Sequence, residues 1–355
     1  MASTTVQPPS HAWNDLPPKD WEHLFYPARD YQYFREPQPF TGTADVQKPS
    51  DVCTPNTAAW MTDAAVLAYG RSGPDPIPPL KFDDFLSKAG LKVHLIGDWG
   101  GTAKGTQGYF AYNSKFAVLS FRGTEKSDWT DLLVDLTAIP VKEDWSSHLP
   151  SQREKTLFHL NLGTPLLSLS ANEIGVHSGF QLALNTVWED VKRWVDDYHT
   201  KQPGSPIFFT GHSLGAALAT LAIARFEGLN AALYTFGSPR VGNTTFCDRV
   251  RSRARLGIYR TVDNQDFVTT VPPQDHAYDH TSGLVVIDAA GTVQTGGTGS
   301  RDGGLIDVAR ILGTAALAAV DYAGRQPPPP ELADHSPGRY CYFMWQWARA
   351  GAERT

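Results

Sequence analysis

The sequence predicts an α/β protein, a central and mostly parallel sheet flanked by helices, and three observations carry that prediction. Strand-like and helix-like runs alternate along the middle of the chain: residues 206–210, 231–236 and 257–262 read as strands, with helices over 214–226 and 245–254 between them. Such alternation implies parallel pairing through crossover helices. Residues 181–198 place Leu184, Val187, Val191, Trp194, Val195 and Tyr198 at three- and four-residue spacing among charged side chains, an amphipathic helix. Upstream, three β-type runs at 93–96, 108–112 and 116–121, joined by Gly-rich or Asn/Ser turns, begin the sheet. Before them, Thr54 caps a helix through Ala58, Met61, Ala65 and Leu67 that ends at Gly70, and residues 82–89 form a second ending at Gly90. Both are expected to flank the sheet.

At 355 residues the chain can bury a substantial core, and 41% hydrophobic with 19% charged residues describe a globular protein rather than a disordered or collagenous one. The first fifty residues carry eight of the 26 prolines and eight aromatic residues. Proline forbids long regular elements, yet so much aromatic surface is costly in water, so residues 1–53 are expected to be an arm packed on a catalytic domain spanning 54–355. A net charge of -6, with no Lys/Arg run beyond a pair, makes nucleic acid an unexpected partner. Three cysteines, Cys53, Cys247 and Cys341, leave room for one bridge at most and form no metal-binding spacing. Residues 1–16 have neither a basic nor an apolar signal region, which favours the cytoplasm unless the chain is a processed form of a secreted protein. Residues 305–320, the longest apolar stretch, are broken by Asp307, Arg310 and Gly313, so a core or interfacial helix is expected rather than a transmembrane segment. Residues 291–304 and 327–330 read as loops.

The chemistry concentrates in one segment. Gly211-His212-Ser213-Leu214-Gly215 fits G-x-S-x-G, preceded by the apolar run Phe208-Phe209-Thr210 and followed by a helix with no charge before Arg225. In a chain with 31 glycines the pentapeptide alone could mark a glycine-rich turn. Strand before and buried helix after make it a nucleophile elbow, the signature of an α/β-hydrolase fold, in which small residues relieve crowding and the serine projects outward. The helix amino terminus behind Ser213 favours negative charge at the reacting centre. His212 beside the serine is expected to point away and to be structural.

A serine hydroxyl needs an imidazole to take its proton and a carboxylate to orient that imidazole, and in this fold they follow in the order Ser, acid, His. Asp266, after the strand ending near Val262, sits where a strand-end loop presents an acid, with Asp263 as competitor. Three histidines lie further on: His276, His280 and His335. His335, between a proline-rich loop and the aromatic run 340–347, fits the order best. The oxyanion requires the amide after the nucleophile, Leu214, and a second donor from an earlier strand end. Thr124, after Phe121-Arg122-Gly123, is the candidate. No H-E-x-x-H is present, and residues 100–105 lack the lysine of a phosphate loop, so neither metal nor cofactor is expected.

With these residues in view, the chain resembles the class 3 lipases. The likeness is carried by Phe121-Arg122-Gly123-Thr124, Val176-His177-Ser178-Gly179-Phe180, the Ser213 segment and Phe236-Gly237-Ser238-Pro239-Arg240-Val241-Gly242-Asn243. The resemblance implies that Asp266 rather than Asp263 is the acid, that His280 is noncatalytic and that His335 completes a Ser213-Asp266-His335 triad. It also implies a helical lid over 125–136 with Trp129 as apolar anchor, and an aspartate, Asp131 or Asp135, steadying the oxyanion hydroxyl. The expected function is a lipase acting on acylglycerol esters, probing a lipid–water interface. A short-chain esterase, a phospholipase and a catalytically silent lipid-binding module are the alternatives on the same scaffold. The arm, extra residues at 137–175 and the stretch 291–331 depart from the compact family pattern.

Overall fold

Eight strands hydrogen-bond into one sheet whose spatial order follows chain order: β1 (Lys92–Ile96), β2 (Gly108–Tyr112), β3 (Ala117–Phe121), β4 (Ile207–His212), β5 (Ala231–Phe236), β6 (Ile258–Asp263), β7 (Leu284–Ile287) and β8 (Val293–Gly297). The computed structural model describes residues 31–35, 39, 48–72, 75–76, 79–99, 105–124, 140–142, 173–272, 274, 278–297 and 333–352. Strands β3 to β7 are mutually parallel, while β1, β2 and β8 add antiparallel edges. Strands β3, β4 and β5 are buried along their whole length and largely apolar, because both faces are covered.

Alternation along each strand sorts side chains between two cores. Leu119, Phe209 and Leu233 belong to one, with the helices α3 (Ser178–Asn185), α4 (Trp188–Lys201), α5 (Leu214–Arg225) and α6 (Thr244–Arg253). Val118, Phe208 and Ala232 face the other, with α1 (Pro55–Leu67), α2 (Pro79–Lys88) and α7 (Pro337–Ala352). Residues 215–224 of α5 are all buried, which is why this helix carries no charge until Arg225. Thr54 caps α1 by accepting the Thr57 amide at 3.0 Å.

The helix expected over 181–198 is two helices. The Thr186 hydroxyl donates to the Ala183 carbonyl at 2.7 Å, and Val187 leaves helical geometry at φ -123° and ψ 5°. Glu189 and Asp190 then open α4, where negative charge suits a helix start. Periodicity runs through the break because both pieces bury the same apolar stripe.

Within the expected arm, Tyr31, Tyr33 and Phe34 are buried against Trp60 and its neighbours. The buried Asp63 carboxylate on α1 accepts the Tyr31 hydroxyl at 2.6 Å, the Phe34 amide at 2.7 Å and the Trp345 indole of α7 at 3.1 Å. Burial pushes its pKa up to about 6, against the lowering effects of the Tyr31 bond and the Arg35 charge. All three cysteines are free. Among the described residues no helix is long and apolar enough to cross a membrane. Residues 1–30, most of 137–175 and of 291–331, the helix expected at 305–320, the lid candidate 125–136 with Trp129, Asp131 and Asp135, and His276 lie outside the described residues.

Candidate active site

Strand β4 ends at His212 and α5 begins at Leu214, so the whole reversal falls on Ser213, which adopts φ 59° and ψ -126°. A left-handed serine of this kind stores roughly 1–3 kcal/mol of strain and persists only where its surroundings impose it. The Ser213 amide donates to the Phe236 carbonyl on β5 at 3.0 Å, and its carbonyl accepts the Ala216 amide at 3.0 Å. Close approach explains the flanking glycines: a Cβ on Gly211 would lie 2.2 Å from the Gly215 carbonyl carbon, and one on Gly215 would lie 2.2 Å from the Phe121 carbonyl oxygen. Ser213 is fully buried, and among the described residues its Oγ makes no hydrogen bond. Nucleophile–base contacts are often loose before substrate arrives.

Leu214, half-buried, is the first residue of α5, so its amide has no acceptor within the helix. The segment after β3 presses on the elbow, since a Cβ on Gly123 would meet the His212 carbonyl oxygen at 2.6 Å. Thr124, also half-buried, follows directly. The α5 amino terminus and the end of β3 therefore converge beside Ser213, the two places from which oxyanion donors come.

On the other side, β6 ends at Asp263 and the chain turns through Asn264 at φ 31°. Asp266 then caps the short turn Phe267–Thr270 by accepting the Val268 amide at 3.0 Å. His335 Nδ1 lies 2.8 Å from both Asp266 carboxylate oxygens, with both side chains wholly buried. The Tyr340 hydroxyl of α7 donates to Asp266 Oδ2 at 2.6 Å and accepts the Asp263 amide at 3.0 Å. Nothing in the sequence pattern gave Tyr340 this role beyond its place in an aromatic run.

Asp263, the competing acid, bonds Arg339 instead of the imidazole. Arg339 Nε and Nη2 donate to its two oxygens at 2.7 and 3.2 Å. Burial raises its pKa to about 7, with Arg339 opposing and the neighbouring Asp334 and Asp266 reinforcing. His280 Nε2 donates to the Thr269 carbonyl at 2.6 Å, so it braces the turn after Asp266, and burial holds it neutral well below its usual pKa.

His212 points back from the elbow. Its Nε2 bonds the His335 carbonyl at 2.8 Å, which only accepts, so Nε2 carries the proton and Nδ1 accepts the Tyr69 hydroxyl at 2.8 Å. Burial first, and the nearby His335 ring second, drive its pKa well below the usual imidazole value, so it is neutral. The fragment Tyr69–His212–His335 thus braces the backbone of the histidine turn. Among the described residues no group of three or more His, Cys, Asp or Glu side chains is arranged to hold a metal.

A mostly parallel sheet with a strained serine between its strand β4 and the buried helix α5 defines an α/β-hydrolase. Residues 118–276 match the family model described as Lipase (class 3). Over that segment the chain is similar to the class 3 lipases. It is 40% identical over 126 residues to secreted mono- and diacylglycerol lipase 1 of Fusarium solani, a match covering 35% of this chain and 37% of that protein. It is 32% identical over 152 residues to a lipase of Rhizopus niveus, covering 37% and 38% of the two chains. The matches therefore span less than two-fifths of the length of these relatives. A solved triacylglycerol lipase, whose catalytic centre is formed by a serine protease triad, aligns with a TM-score of 0.51 and 26% identity over 69% of this chain and 84% of that one.

Proposed function

We propose that the chain is a lipase that hydrolyses carboxylic esters of acylglycerols, with Ser213, His335 and Asp266 as its triad. One observation carries this reading: a buried imidazole held at 2.8 Å on a buried carboxylate, in a turn whose carbonyl is bonded by His212, the neighbour of the serine on the strained elbow. With its Nδ1 proton directed at Asp266, His335 presents Nε2 as the base. Ser213 Oγ attacks the ester carbonyl carbon and passes its proton to Nε2. The resulting oxyanion is held by the Leu214 amide and by Thr124, each donor being worth roughly 10²–10³ in turnover. The imidazolium, stabilised by Asp266, protonates the departing alkoxide as the ester C–O bond breaks. Water then attacks the acyl-enzyme with His335 again as base, and Ser213 leaves with its proton restored.

The acylglycerol substrate is supported by the Fusarium relative, a mono- and diacylglycerol lipase, and the secreted character of that protein supports export of this chain. Ser213→Ala is expected to lower turnover of a p-nitrophenyl ester by roughly 10⁴–10⁶. Survival of that activity overturns the assignment. On the wild-type protein, activity on dispersed long-chain triacylglycerol supports the lipid substrate, and a profile confined to short soluble esters overturns it in favour of an esterase.

A further inference from the structure

His335 and Asp266 are 69 residues apart in sequence and sit on different turns, so no local geometry fixes their separation. Two carboxylates and one guanidinium join those turns. Arg339, in the first turn of α7, holds Asp263 at the end of β6 with two bonds, and its Nη2 also reaches Asp334 Oδ1 at 3.1 Å. Asp334, the residue before His335, accepts the Asn264 side-chain amide and the Gln265 backbone amide, both at 3.0 Å, on the turn that leads to Asp266. The side chains are 0% (Asp263), 6% (Asp334) and 13% (Arg339) exposed. Water therefore does little to screen them.

Asp263, Asp334 and Asp266 bring three carboxyl groups into one pocket, and like charges so placed push their turns apart. The planar fork of Arg339 bonds two carboxylates at once, which a point charge on a flexible stem cannot match. On the triad reading above, we propose that Arg339 and Asp334 are positioning residues that clamp the histidine turn onto the acid turn and so keep His335 Nδ1 seated on Asp266. The clamp touches neither substrate nor reacting atoms.

The test is Arg339→Met, compared with wild type on a soluble p-nitrophenyl ester. Loss of the clamp lowers kcat by roughly 10- to 100-fold while KM stays within about twofold, because the base is displaced and the substrate site is not. The pH profile separates this from simple charge loss. Groups facing His335 are Asp266 on the acid turn, Asp263 on β6, Asp334 beside it, Arg339 and Tyr340 on α7, and His212 at the elbow. Removing a cation by itself raises an imidazole pKa, whereas an imidazolium that has lost part of its hold on Asp266 is less stable. The acid limb of kcat/KM is therefore expected to move to lower pH. Wild-type kcat, or an acid limb that stays or moves up, overturns the proposal. If Arg339→Met does not fold, Asp334→Ala, which spares the Arg339–Asp263 pair, is judged by the same kcat and KM criteria, the pH limb being set aside because removing an anion by itself lowers an imidazole pKa. Ser213→Ala run alongside tells the two failures apart. Activity kept there overturns the hydrolase reading and this proposal with it, whereas activity lost there but kept in the clamp variants overturns the proposal alone.

Discussion

Gly237, the residue after β5, lies where the two turns of the proposed triad meet. Its φ is +60°, and a Cβ built on it would stand 2.8 Å from Asp266 Oδ2, 2.8 Å from His335 Cε1 and 2.9 Å from His335 Nδ1. Gly237→Ala therefore drives a methyl group into the contact between the imidazole and its carboxylate. Ordinary van der Waals contact begins near 3.4 Å, so at 2.8 Å one or both partners must retreat by about 0.6 Å. Neither has room, since both side chains are fully buried. A misplacement near 1 Å at a catalytic group costs about 10²-fold, so a fall in kcat of roughly 10- to 100-fold is expected with little change in KM. That corresponds to about 1.4–2.7 kcal/mol of lost transition-state stabilisation. Stability should fall as well, by about 1–2 kcal/mol, from the left-handed backbone alone. The assay is steady-state kinetics on a p-nitrophenyl ester together with urea unfolding, so that catalytic loss is read on folded protein. A folded Gly237→Ala protein with wild-type kcat refutes the placement of His335 on Asp266.

Further outcomes follow from the same geometry. Asp266→Asn should lower turnover by roughly 10⁴, while Asp263→Asn, which leaves the imidazole contact in place, should lower it far less; equal losses in the two proteins would refute the choice of acid. Asp63 gives a pH signature of stability. Its pKa rises from 3.8 to about 6 in the folded protein, so the folded state holds a proton that the unfolded state has released between those values. Stability from this group is then full below about 3.8 and is lost as pH rises through about 6, for a total near 3 kcal/mol. Between pH 5 and 7.5, roughly 1.4 kcal/mol of this decline should be present in wild type and absent from Asp63→Asn, measured as the difference between their urea unfolding curves; parallel pH dependences would refute it.

What the sequence determines here is local. Strand and helix periods, the caps and the elbow at Ser213 depend on neighbours within a few residues, so the parallel core of the sheet and the fold class are legible from residues 206–262 alone. The glycines at 211 and 215 are legible for the same reason, because the crowding they relieve begins within one turn of chain. Periodicity misses the break at Thr186 and Val187, where both pieces keep the same buried stripe. Residue patterns leave Asp263 beside Asp266 and three histidines in play, and only family resemblance narrows them. Tertiary structure makes the pairing: it puts His335 on Asp266, gives Asp263 to Arg339 and His280 to the Thr269 carbonyl. It also recruits Tyr340, Tyr69 and Asp334, which carry no motif. The physical reason is that the bonds of His335 to Asp266 and of Arg339 to Asp263, across 69 and 76 residues, are set by how strands and α7 register in the core, and that register is a property of the whole packed sheet, not of any stretch of sequence.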